Sequence, residues 1–108
     1  MQRVNLLEEL IYSDECISIN ELMQTPCSKE IRIVMQTNQV MRDHASEYPI
    51  TMGVLEGRVK LTIADEEHFI KRGELIALEA DTVHHLEAVE NSVLHLTLFT
   101  ATEEHTDG

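Results

Sequence analysis

Tryptophan is absent from this 108-residue chain, and phenylalanine and tyrosine contribute only two residues each. Aliphatic side chains must therefore build the core. Two prolines and four glycines are too few for a collagen-like or low-complexity chain. Basic residues are also scarce: eight Lys and Arg face twenty Asp and Glu, leaving a formal net charge of −12. Such a field repels polyanions, because nucleic-acid affinity comes largely from Lys and Arg neutralising phosphates. The basic residues are scattered as well, so the reading excludes nucleic acid and an anionic membrane surface as partners. No apolar run approaches the length of a membrane span. The opening residues MQRVNLLEELIYSDE lack the apolar centre of a signal peptide, and the cytoplasm is the expected location. Cys16 and Cys27 fit no CxxC spacing and are read as free thiols in a reducing compartment.

What the chain does have is short-period alternation. Val4, Leu7 and Ile11 fall at helical spacing, which predicts a short N-terminal helix within an arm of residues 1–14. Beyond Ser13 and Asp14 the period falls to two. Cys16–Ile19 and Ile31–Met35 read as strands, separated by a turn over Thr25–Lys29 in which Pro26 fixes the local backbone. Further strands are expected over Ile50–Leu55, Val59–Ile63, His68–Ile70, Leu75–Leu78, His84–Val89 and Val93–Phe99. Asp65, Glu66 and Glu67 form a polar turn in this reading. Gly57, in VLEGRV, is expected to supply a positive φ to a hairpin, and Gly73 opens the next strand in the same way. Strands so spaced, with no helical segments between them, indicate an all-β sandwich or barrel over residues 15–100 of a single domain. Residues 101–108 are expected to form a polar tail that frays.

Two segments carry chemistry. The first is DHASEYPITMGVLEG, from Asp43 to Gly57, and the second is GELIALEADTVHH, from Gly73 to His85. In this order they resemble the paired motifs of the cupin superfamily, specifically a small RmlC-like protein with degenerate metal-binding motifs. The resemblance spans about residues 31–99. It implies a jelly-roll barrel of two antiparallel sheets whose lumen holds the functional site. It also implies a homodimer.

The family's first motif runs from a glycine to a His-X-His pair, a glutamate and a closing glycine. Here Asn38 stands at the first glycine, His44 at the first histidine, Ser46 at the second, Ile50 at the glutamate and Gly57 at the last glycine. In the second motif Gly73 and His84 fit, while Glu79, Asp81 and Ala88 replace its proline, glycine and asparagine. Two of four metal ligands remain, and two imidazoles alone rarely hold a divalent ion tightly.

His95 is the third candidate donor. It alternates with Leu94, Leu96 and Leu98: if those leucines fill the core it faces out, and if they pack elsewhere it faces the lumen. Glu47, in the loop after Ser46, is the other candidate donor, a carboxylate. His85 should point opposite to His84, and His68 and His105 read as solvated. The expected metal set is His44, His84 and His95, for one divalent ion of zinc, nickel, manganese or iron. The expected ligand pocket is Ser46, Tyr48, Ile50 and Met52.

Two functions follow. One is a binding protein that holds a small molecule, a divalent metal or both in the lumen without robust catalysis. The other is a metal-dependent enzyme of dioxygenase, isomerase or decarboxylase type, built on His44, His84 and a third donor.

Overall fold

The computed structural model describes residues 1–101. Nine strands make up its regular structure: β1 (Ser18–Thr25), β2 (Ser28–Met35), β3 (Val40–His44), β4 (Ile50–Glu56), β5 (Arg58–Ile63), β6 (Glu66–Lys71), β7 (Leu75–Leu78), β8 (His84–Ala88) and β9 (Ser92–Phe99). They form two antiparallel sheets, one ordered β1-β2-β9-β4-β7 and the other β3-β8-β5-β6. The chain is all-β, as its alternation indicates, and the two sheets make the jelly roll that the resemblance implies. Among the described residues no helix is long and apolar enough to cross a membrane. The frayed tail expected beyond Ala101 lies outside the described residues.

Alternation fixes which side chains meet between the sheets. The larger sheet contributes Ile33 and Met35 from β2, Met52 and Val54 from β4, and Leu94 from β9. Opposite them stand Val59 and Leu61 from β5, Ile70 from β6, and Leu86 and Ala88 from β8. All are buried, and none is aromatic. Burying a side chain of this size contributes about 1.5–3 kcal/mol.

Several expectations need correction. The segment over Val4–Ile11 is not helical, although its apolar spacing is. The Asn5 side chain accepts the Leu7 backbone N–H at 2.9 Å, forming a local turn, and Glu9 adopts φ 55°, which ends any helical path. Arg32 completes the effect. Its guanidinium donates to the Leu6 and Glu8 carbonyls at 3.2 and 2.8 Å and to Asn20 Oδ1, so those carbonyls are turned sideways onto β2. The arm is further tied down where Gln39 donates to the Ser13 carbonyl and Ser18 to that of Ile11.

Gly57 does take a positive φ, of 85°, but not in a hairpin. β4 belongs to the larger sheet and β5 to the smaller, so Gly57 is the corner at which the chain changes sheets. The first strand runs Ser18–Thr25 rather than Cys16–Ile19. The polar turn sits one step earlier than expected, at Ala64 and Asp65, with Ala64 at φ 55° and Glu66 and Glu67 already in β6. β3 has no counterpart in the sequence reading.

Candidate functional site

The jelly roll is filled at one end and hollow at the other. At the open end a cavity of about 660 Å³ lies between the sheets. That is within the range of about 300–1,000 Å³ usual for small-molecule sites. Ile33, Met52 and Leu86 belong both to the packed core and to the cavity wall, so they form its floor. Above them the walls are Ile31, Leu96 and Leu98 from the larger sheet and Met41 from β3. The loop between β3 and β4 brings Ala45, Ser46, Glu47 and Tyr48 to the mouth. Ile19, from edge strand β1, lines the same space although it is 58% exposed.

His44, His84, Ser46, Tyr48, Ile50 and Met52 all line this cavity. His44 ends β3 and pairs with His84 at the start of β8, and their rings stand edge to face with centroids 5.6 Å apart. Met41 and His44 are three positions apart and would face opposite ways in a regular strand. A register shift between them brings both to the cavity. That odd spacing is why β3 shows no alternation in the sequence. On β8, His84, Leu86 and Ala88 are buried while His85 and Glu87 are less so, which places His85 on the far face.

His84 is buried, with 7% of its surface exposed. Its Nδ1 lies 3.0 Å from the Thr82 carbonyl oxygen. A carbonyl only accepts, so Nδ1 carries the proton and, in the neutral ring, Nε2 holds the lone pair. Ser46 accepts the Tyr48 backbone N–H at 3.0 Å, which folds the mouth loop on itself. The Asp81 N–H donates to the Ser46 carbonyl at 2.7 Å and fastens that loop to the turn before β8.

Sequence reasoning passed over the backbone role of two residues. Asn38 and Asp81, which stand at glycine positions of the two motifs, adopt φ 75° and 63°. Asn and Asp are among the few side chains that tolerate this region, so the turns keep their shape without glycine.

His95 does not join the site. Leu94 is in the core and Leu96 and Leu98 line the cavity, so alternation sends His95 to the outer face of the larger sheet. There its Nε2 lies 2.8 Å from Glu30 Oε1, which also accepts from Thr97 at 2.6 Å, while Ser28 donates to Glu30 Oε2 at 3.0 Å. Burial alone would raise the Glu30 pKa. The hydrogen bonds from Thr97, His95 and Ser28 outweigh it and hold the carboxyl below its ordinary value of 4.5. A carboxyl whose folded pKa is depressed contributes stability above its unfolded pKa and loses it as pH falls through the folded value. The urea midpoint is therefore expected to drop on acidification from about pH 6 to about pH 3, and to drop less in Glu30→Gln. Parallel curves for the two proteins would show that the network contributes nothing.

The donor set does not match a three-imidazole, one-carboxylate metal site. Ile50 presents hydrocarbon where a carboxylate would stand, and His95 faces away. Among the described residues no three His, Cys, Asp or Glu side chains converge on one point.

The cupin-domain family profile matches residues 31–100. The chain belongs to the cupin family. Solved structures similar to this cupin include an RmlC-like cupin protein from Desulfovibrio desulfuricans, with a TM-score of 0.84 and 21% identity over 93% of this chain and 97% of that one. A cupin superfamily protein from Desulfitobacterium hafniense aligns at TM-score 0.79 and 12% identity, covering 94% of each chain. A double-stranded β-helix protein from Klebsiella pneumoniae aligns at 0.83 and 13%, over 93% of this chain and 90% of that one. At such identities the likeness concerns the fold. No curated protein matches the chain in sequence.

Proposed function

We propose that this cupin is a binding protein that holds a small, largely apolar organic molecule in the open end of its barrel, without robust catalysis. The observation that carries the reading is the cavity itself: about 660 Å³, walled by aliphatic side chains, with the imidazoles of His44 and His84 as its convergent polar groups. Apolar walls with a few placed polar groups are the usual make-up of small-molecule sites. A loosely held divalent ion on His44 and His84 is the second reading, favoured by the 5.6 Å approach of the two rings. The metal-dependent enzyme would need a third donor, and Glu47 is the acidic side chain on the cavity wall.

The cytoplasm is the proposed location, in keeping with two exposed, free cysteines. A second copy of the chain is the proposed macromolecular partner. Exposed apolar side chains at sheet edges support it, Phe69 on β6 and Leu75 on β7.

Two measurements on the tag-free protein test the function. Elemental analysis by plasma mass spectrometry is expected to find far less than one metal per chain, unchanged in His84→Ala. A thermal-shift screen is expected to find apolar small molecules that raise Tm, because a ligand bound to the folded state alone stabilises it. Stoichiometric metal that disappears in His84→Ala would replace the first reading with the second.

A further inference from the structure

We infer that the cavity takes a neutral molecule joining a hydrocarbon body to one hydroxyl group, an alcohol or a phenol, with the hydroxyl donated to His84 Nε2. This rests on the binding reading above and adds the chemical class. The deciding group is the acceptor of a buried residue. His84 is 7% exposed, its Nδ1 is committed to the Thr82 carbonyl, and among the described residues no group donates to Nε2. A buried polar atom without a partner costs free energy, so a ligand that donates to Nε2 gains more than one that only covers it.

The other headgroups fare worse. A pure hydrocarbon would seal Nε2 away from water with nothing bonded to it. A carboxylate has no proton to donate. No Lys or Arg lines the cavity to offset its desolvation, and the one charged side chain on the wall is the like-charged Glu47. An ammonium group can donate, but its charge would be desolvated among aliphatic walls, and the one acidic side chain on the lining, Glu47, is exposed to solvent rather than buried as a counter-ion. A neutral hydroxyl supplies the donor at small desolvation cost, and the aliphatic walls receive the rest of the molecule.

Four probes of matched shape test this on the full chain by calorimetry: para-butylphenol, butylbenzene, para-butylbenzoate and para-butylbenzylamine. The phenol is expected to bind about tenfold tighter than butylbenzene, which corresponds to about 1.4 kcal/mol. In His84→Phe the phenol should fall to the affinity of the hydrocarbon. NMR of isotope-labelled histidine ring nitrogens in the unmutated protein gives a readout independent of that variant's folding. The His84 Nε2 resonance should move with the phenol and stay with butylbenzene. Equal binding of the phenol and butylbenzene overturns the inference and leaves the binding reading in place. Tightest binding by the benzoate or the benzylamine does the same. Failure of all four to bind overturns both.

Discussion

Gly57→Ala is expected to cost about 3–5 kcal/mol, close to the whole stability of a small domain at the low end of its usual range of about 5–15 kcal/mol. Two effects combine. At φ 85° an L side chain is strained, by about 1–2 kcal/mol. The added Cβ would also stand 2.2 Å from the Asn91 carbonyl oxygen, 2.3 Å from Ser92 Oγ and 2.8 Å from Ser92 Cα. Backbone atoms give way poorly, and Ser92 Oγ is already engaged: it accepts the Arg58 N–H at 3.1 Å and donates to the Glu90 carbonyl at 2.7 Å. Gly73→Ala is the matched control. Gly73 has φ 92° but nothing within 4 Å of its added Cβ, so it should lose the strain alone, about 1–2 kcal/mol. Urea unfolding of the two variants isolates the clash, and equal losses would refute it.

The second large effect is expected at Arg32. Its side chain is 6% exposed, and no carboxylate of the described residues pairs with it. The charge is held instead by the Leu6 and Glu8 carbonyls and by Asn20 Oδ1, which lies 3.3 Å from Nε and 3.2 Å from Nη2. Hydrogen bonds to charged groups contribute about 1.5–3 kcal/mol each way of counting, and truncation leaves their acceptors unpartnered. Arg32→Met keeps much of the aliphatic stem and removes the donors. A loss of about 2–4 kcal/mol is expected in urea, with hydrogen exchange and proteolysis rising in residues 1–13. A loss below about 0.5 kcal/mol, the scale of ordinary surface changes, would mean that the arm is not part of the cooperative fold.

The core strands were legible because each half of the core is written in period two. Val59 and Leu61, and Leu94, Leu96 and Leu98, each mark one side of a strand by local spacing alone, although which way the β9 stripe faces depends on packing. The features that were not legible depend on partners distant in sequence. The Val4–Ile11 spacing is that of a helix, but what decides its conformation is Arg32, on another element. Glu56-Gly57 reads as a hairpin turn because nothing local says that the flanking strands pair with different sheets. β3 hid behind the odd Met41-to-His44 spacing that its bulge corrects.

The site divides the same way. His44 and His84 were legible from the motifs, and Ser46, Tyr48, Ile50 and Met52 from the loop and strand between them. His95 turned on whether its neighbouring leucines fill the barrel, a question alternation poses and packing answers. Asn38 and Asp81 look like losses in a comparison of letters, yet in the backbone they do what glycine does there.

β9 is the last of the nine strands of the described residues and lies at the centre of the five-stranded sheet, pairing with β2 on one side and β4 on the other. During synthesis, therefore, the chain leaves the ribosome with that sheet missing its middle. Until Phe99 has emerged, β2 and β4 have no bridge, and the faces that carry Ile33, Met52 and Val54 wait uncovered. Non-local pairing of this kind folds slowly and keeps unpaired edges open to other chains. Translation stopped before Ser92 would leave the β1–β2 hairpin and the β4–β7 pair as separate pieces, not a smaller barrel.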